Sequence, residues 1–342
     1  MLKRIMTGAV IICILALAVG CSNPILAIRD WISGGEEIQE GPVFDNQLPD
    51  TDNTNGTIDA RKRDTVLYYR DDKGYLVPVS VDIEWEEGIA KAALARLIAD
   101  NKSSEIAQKA GLYSAIPEGT DILGLTIRDG LAKIDLSAEA LNYNTAGEEE
   151  LMIKSVVYTL TEFNTVDRVQ FMFEGDTAES LQFGSNVGRP VFKENINAID
   201  EGKGSKVTVF FYRVNEKGFK YFVPVTLSTG TAGTDMDAAV KCLLEGPPEG
   251  SDLLSDIPEG ISINGMGVKN GIAYLNFEKG IFDYQGSDSM GENIVKSIAL
   301  TLKEYPSVAG VIFLTDGETA SLPSGMMLES VIDVPVFANE YN

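Results

Sequence analysis

The chain has 342 residues, 44% of them hydrophobic and 8% aromatic, with a formal charge of −23 and a pI near 4.4. That charge disfavours nucleic acid and anionic lipid as binding surfaces, since both call for Lys and Arg against phosphate. Histidine is absent, which excludes Ser-His-Asp and Cys-His nucleophile pairs and imidazole-based zinc centres, and Cys13, Cys21 and Cys242 contain no CxxC pair and no disulfide framework.

Lys3 and Arg4 precede an uncharged apolar run from Ile5 to Gly20, followed at once by Cys21. The run is shorter than the ~20 residues needed to span a membrane, and basic, apolar and small residues in that order are the layout of a signal peptide. Leu17-Ala18-Val19-Gly20-Cys21 resembles a bacterial lipoprotein box, in which the cysteine is lipidated, with Ala18 where the box usually has Leu. Residues 1–20 are therefore expected to be a signal peptide and Cys21 the lipidation site. Residues 21–63, rich in Gly, Asn, Asp, Glu and Pro, read as an acidic flexible tether. As a random coil it would measure about 35 Å end to end.

The remainder is used twice. Ile116-Pro117-Glu118-Gly119 returns as Ile257-Pro258-Glu259-Gly260, and the flanks of the two stretches align. Tyr69-Arg70 matches Tyr212-Arg213, Val77-Pro78-Val79 matches Val223-Pro224-Val225, Lys154-Ser155 matches Lys296-Ser297, and Pro190-Val191-Phe192 matches Pro335-Val336-Phe337. Two domains are expected, at 64–193 and 205–342, joined by a polar linker at 194–204, each large enough for a core of its own.

In the first copy, Val66 to Arg70 and Tyr75 to Val81 flank the Gly-containing turn Asp71 to Gly74 and read as a hairpin. Ala90, Ala93, Leu94 and Leu97 recur at helical spacing over Glu86 to Ala99. Pro117 and Gly119 then break the chain into a second hairpin, Ile122 to Ile127 and Leu131 to Leu136, turned at Asp129-Gly130. A helix over Glu148 to Glu162 carries the stripe Met152, Val156, Leu160 and Phe163, and Val169 to Phe173 is the last strand. The order ββαββαβ, repeated, predicts an α+β fold with helices packed on an antiparallel or mixed sheet.

Catalytic residue types are sparse. Glu118 and Glu259 could serve as a carboxylate pair for glycan hydrolysis, but each sits where Pro and Gly already explain a turn. Cys242 follows Lys241, but with no histidine and no second thiol in the folded part it reads as a packing or semi-exposed cysteine. Asp50 to Gly56 places its Gly one position late for a calcium loop and has no Glu to close it. Gly265-Met266-Gly267 falls inside a strand pattern and is no dinucleotide fingerprint. No catalytic residue, metal site or cofactor is assigned.

The Ala/Leu-faced helix, Ile-Pro-Glu-Gly, the Asp-Gly or Asn-Gly hairpin and the helix bearing Thr159-Leu160-Thr161 or Thr301-Leu302 together resemble the GerMN-domain family, here in tandem. That resemblance covers 64–193 and 205–338. It implies a non-enzymatic protein of sporulation or spore germination, at the membrane or in the intermembrane space around the developing spore, that supports assembly of other proteins; GerMN domains also occur outside sporulation. The combined expectation is a lipid-anchored protein-binding module on the extracytoplasmic face of the membrane, with other membrane or sporulation proteins as partners and no nucleic acid. The alternatives are a solute-binding lipoprotein closing on a small ligand, and a cell-wall glycan hydrolase. Strand alternation leaves the second copy's outer sheet face apolar, as a contact surface either for a sporulation partner or for the first copy, with the alternative that the C-terminal segment from Pro323 to Asn342 folds over it. Phe210, Tyr212, Tyr274, Ile312 and Leu314 are the residues expected there, opposite water-facing Tyr69, Lys133, Asp135, Gln170 and Met172 in the first copy.

Overall fold

The structure is a computed structural model that describes residues 62–84, 88–99, 105–199, 202–230, 236–278, 280–282 and 288–340. The signal segment 1–20, Cys21, the tether as far as residue 61 and the Asp50 to Gly56 stretch lie outside the described residues. The first repeat runs β1 (Lys62–Arg70), β2 (Leu76–Glu84), α1 (Ile89–Ala95), α2 (Glu105–Ala110), β3 (Ile122–Arg128), β4 (Gly130–Leu136), α3 (Ala146–Thr161), β5 (Val166–Phe173) and β6 (Val191–Phe192). The second runs β7 (Lys206–Val214), β8 (Lys220–Ser228), α4 (Met236–Leu244), β9 (Ile263–Lys269), β10 (Ile272–Phe277), α5 (Asp288–Lys303), β11 (Gly310–Thr315), β12 (Glu318–Thr319) and β13 (Ile332–Asp333). The fold is α+β in two tandem domains, and α2 is an element that the apolar pattern did not reveal.

Each domain has a mixed sheet. In the first the order is β3-β4-β5-β6, with β4 and β5 parallel across α3. In the second it is β9-β10-β11-β12, with β10 and β11 parallel across α5 and β13 also paired to β11. The Asp-Gly and Asn-Gly turns have positive φ at both central positions, 51° and 74° for Asp129-Gly130 and 53° and 76° for Asn270-Gly271, the geometry that matches strand twist in a tight hairpin. Thr145 begins α3 by accepting a hydrogen bond from the Glu148 amide at 3.2 Å, and Glu148 in turn accepts from the Asn144 amide at 2.8 Å.

The opening hairpins stand outside these sheets. β1 pairs with β2 and β7 with β8 as separate two-stranded sheets, each laid on the long helix of its domain. The Tyr68 amide donates to Thr159 Oγ1 at 3.1 Å, and the Phe210 amide donates to Thr301 Oγ1 at 3.1 Å. Helix α3 is thus buried along two adjoining stripes. Ser155, Tyr158 and Thr159 meet the hairpin, while Met152, Val156 and Leu160 form the stripe expected from the sequence.

These contacts correct the alignment of the repeats. Tyr68 stands where Phe210 stands. The backbone bridge of Arg70 to Tyr113 matches that of Tyr212 to Leu254, so Arg70 corresponds to Tyr212 and not to Arg213. The second hairpin simply continues, through Arg213 opposite Tyr221 and Val214 opposite Lys220. Likewise Val191 pairs with Val169 as Ile332 pairs with Val311, so the Pro-Val-Phe match at 190–192 and 335–337 is coincidental. A one-residue slip turns a strand's side chains to its other face, and Tyr69, expected in water, is in the core.

The expected outer apolar face is corrected too. Phe210 and Tyr212 pack with Phe222, Leu300 and Ala338. Tyr274 and Leu314 are buried, and Ile312 is half-buried. Gln170, expected in water, is buried with its amide donating to the Val187 carbonyl at 2.8 Å. Gln170 thus meets the chain that follows β5, and Phe210 and Tyr212 meet α5 and the C-terminal Ala338, contacts that the alternation pattern does not encode.

One continuous cluster of buried apolar side chains runs through both repeats, with β2 lying against β8. Leu302 on α5 is fully buried in it. Leu302→Ala should lower the unfolding free energy by about 2–5 kcal/mol, read by urea denaturation as a shift of a transition shared with the first repeat. An unchanged midpoint would put Leu302 outside the core.

Candidate functional site

The most heavily constrained part of the molecule is the junction between the domains, and it begins with two prolines. Pro78 in β2 and Pro224 in β8 have no amide to give to a ladder, which suits the edge of a sheet. Their carbonyls still need donors. Asn197, from the expected linker, donates through Nδ2 to the carbonyls of Leu76 and Pro224, each at 2.8 Å, and accepts from the Leu76 amide at 2.8 Å. Asn339, near the C-terminus, donates to the carbonyls of Phe222 and Pro78, each at 2.8 Å, and accepts from the Phe222 amide at 2.7 Å. Leu76 corresponds to Phe222 and Pro78 to Pro224, so the two asparagines make the same contacts with the domains exchanged. The arrangement is a two-fold pseudosymmetric clasp. Segment 194–204 is therefore partly a built element of the junction.

The hairpin tips follow the same symmetry. Asp71 Oδ1 accepts from the amides of Lys73 and Tyr75 at 2.9 Å, and Asn215 Oδ1 does so from Lys217 and Phe219 at 2.9 Å, each closing its own turn. Tyr75 then donates its hydroxyl to the Ser251 carbonyl of the other domain at 2.8 Å, and Asn215 Nδ2 donates to the Ala110 carbonyl.

Arg213 breaks the symmetry. It lies on the extra length of β7, only 7% exposed, and its guanidinium contacts Asp71, which is 0% exposed, and Asp72 Oδ1 at 2.8 Å. Tyr221, opposite Arg213, donates to Asp71 Oδ2 at 3.2 Å. Burial opposes the charge on Arg213, but its bonds to Asp72 and Asp71 outweigh that and raise its pKa. Burial and the Asp71 carboxylate together push the Tyr221 hydroxyl well up, so it remains a donor.

A second feature is an open cavity of about 880 Å³ in the second domain, between the end of α4 and the Leu253 to Ile263 segment. Leu244, Leu253, Leu254, Ile257 and Ile261 supply its apolar wall, and Glu245 and Glu259 its acidic one. Glu259, one of the two repeated glutamates, is thus on this rim, whereas Glu118 sits exposed at the matching turn of the first domain. Cys242 is buried on α4. No group of three or more residues able to hold a metal is gathered among the described residues, and no helix among them is long and apolar enough to cross a membrane.

Sequence reasoning found neither Asp71 nor Arg213, Asn197 or Asn339. A signal was present. Asp71-x-Lys73-Gly74 recurs as Asn215-x-Lys217-Gly218, which gives the correct frame for the turns and leaves Arg213 without a counterpart.

Comparison with known proteins agrees with this architecture. The family model described as "Germane: Sporulation and spore germination" matches residues 66–179 and 208–321. The chain is 30% identical over 267 residues to the spore germination protein GerM of Bacillus subtilis (strain 168), covering 74% of this chain and 71% of that protein. The solved tandem GerMN domains of the sporulation protein GerM from Bacillus subtilis superpose with a TM-score of 0.68 at 26% identity, covering 82% of this chain and 100% of that one.

Removing one partner of a buried ion pair strands the other. Asp71→Ala should therefore lower stability by about 3–5 kcal/mol. Asp71→Leu combined with Arg213→Met should lose clearly less, because no charge is left buried. Denaturation of both variants in urea checks this; a double variant that falls as far as the single one would show that Arg213 does not rely on Asp71.

Proposed function

This chain belongs to the Germane family of sporulation and spore-germination domains, and from that premise we propose that it is a lipid-anchored, non-enzymatic assembly module on the extracytoplasmic face of the membrane. Cys21 carries the lipid, the tether sets the folded part off from the headgroups, and the tandem domains bind other membrane or sporulation proteins. The observation that supports this reading best is the junction. Two complete domains are joined through Asp71, Arg213, Asn197 and Asn339 into one body, which suits a scaffold presenting fixed surfaces. The same junction weighs against two lobes that close on a solute, because opening them would expose Asp71 and Arg213 without partners. For glycan hydrolysis the candidate carboxylates Glu118 and Glu259 both stand exposed at turns, one in each domain, and only Glu259 borders the cavity.

The reading is tested in intact membranes by crosslinking, with Cys21→Ser as the second arm. The unmodified chain should take up lipid label and give discrete adducts with membrane proteins. Cys21→Ser should lose the label and accumulate as precursor. A labelled chain that gives no protein adduct, or a Cys21→Ser variant processed and retained as before, would contradict it.

A further inference from the structure

The two domains differ most where their first helices end. Leu97 and Ile98 in the first domain correspond to Leu243 and Leu244 in the second, since Ala93, Leu94 and Leu97 are fully buried as Ala239, Val240 and Leu243 are. After α1 the chain unwinds early, with the amides of Arg96 and Leu97 bonding three residues back. Residues 97–99 then lie extended beside Ile116. The Ala99 amide donates to the Ile116 carbonyl at 3.0 Å, the Ile116 amide donates to the Leu97 carbonyl at 3.2 Å, and Ile98 and Ile116 form a parallel bridge.

In the second domain α4 stays helical three residues longer, to Leu244. The Glu245 amide bonds four residues back to Lys241 at 3.0 Å, and Gly246 ends the helix at φ 84°. Pro247, which lines the cavity, and Pro248 follow with no amides to offer. Among the described residues no backbone segment pairs with Ile257, the counterpart of Ile116. Its amide turns to the Ser255 hydroxyl at 3.2 Å, and its carbonyl has no hydrogen-bond donor among the described residues. The cavity lies along this segment.

Its charge differs too. Glu245 stands where the first domain has Ala99, and Glu259 faces the same cavity. Lys241 is held by Asp237 one helical turn away, so the two glutamates set the sign of the rim.

We propose that this groove receives an extended segment of a partner protein, with an aliphatic residue flanked by Lys or Arg, lying beside Ile257 as Leu97 to Ala99 lie beside Ile116. A backbone amide of the partner donates to the Ile257 carbonyl as the Ala99 amide does to Ile116, its aliphatic side chain enters between Leu244, Leu253 and Ile261, and its basic flanks meet Glu245 and Glu259. Strand addition of this kind draws affinity from the backbone and specificity from the side chains, with the charges selecting the partner. This rests on the reading of the chain as a protein-binding module and names the chemistry of one partner segment.

The test uses the full chain in detergent micelles and a fluorescent peptide, acetyl-Arg-Leu-Ile-Ala-Arg-amide, followed by anisotropy. Saturable binding is expected. The same peptide with Glu flanks should bind at least tenfold more weakly, and so should the Arg-flanked peptide N-methylated at Ala, which can no longer donate to the Ile257 carbonyl. Glu245 and Glu259 are both exposed, so the variant E245K/E259K should fold. It should reverse the preference, losing the Arg-flanked peptide and gaining the Glu-flanked one. No binding of the Arg-flanked peptide, indifference to its flanks or its N-methylation, or a charge-reversed variant with unchanged preference would overturn the proposal. Failure here with protein adducts intact in the membrane crosslinking would remove the groove and leave the assembly reading; absence of those adducts would remove the assembly reading whatever the peptide does.

Discussion

A carboxylate with no exposed surface must be held by hydrogen bonds and a counter-charge, and Asp71 has both. One oxygen closes its own hairpin turn; the other meets the guanidinium of Arg213 and the hydroxyl of Tyr221 from the second domain. This couples a local event to a global one. The turn that joins β1 to β2 is complete only as a half of the junction, and Arg213 can be buried only because that turn offers a carboxylate. The burial of Leu76 to Val79 and of Tyr221 to Val225 at the contact follows from the same docking.

The junction also shows how a duplicated domain acquires direction. The Asn197 and Asn339 clasps treat the two domains alike, and an interface made of them alone would suit like pairs as well as unlike ones. Arg213 lies on hairpin length that only β7 has, and the matching turn position in its own domain is Asn215, which is neutral. The buried charge pairing therefore joins the first domain's turn to the second domain's hairpin, and the reverse contact, Asn215 with the Ala110 carbonyl, is neutral. The end of α4 diverges in a comparable way, where an open groove replaces a filled one. Duplication supplied the frame, and local differences of a few residues separated the roles.

Much of this fold was legible. The Asp129-Gly130 and Asn270-Gly271 turns, the stripe Met152, Val156 and Leu160, and the break at Ile-Pro-Glu-Gly are local chemistry, and local chemistry decides them. Helix α3, expected over Glu148 to Glu162 and found at Ala146–Thr161, came out within a few residues for the same reason. What stayed hidden depends on tertiary contact. Nothing in β1 alone says that it will lie on α3 instead of joining the sheet, and Phe210 and Tyr212 look exposed until Leu300 of α5 and Ala338 are placed against them. The Tyr-Arg and Pro-Val-Phe matches failed because short strings recur by chance, and strands punish a one-residue error by turning every side chain over. The junction was least legible, since Asp71, Asn197, Arg213 and Asn339 are ordinary turn and linker residues until the partner that satisfies each is known.

That the two domains form one body is the claim on which both the scaffold reading and the asymmetry argument depend. Spin labels at Lys133→Cys and Lys269→Cys, exposed positions on the two sheets, report it directly through their distance distribution in the full chain. A single narrow distribution is expected, and it should broaden when Arg213→Leu leaves Asp71 without its counter-charge. A broad or multimodal distribution in the unaltered chain, indifferent to Arg213→Leu, would mean that the domains move independently and that the buried pair does not join them.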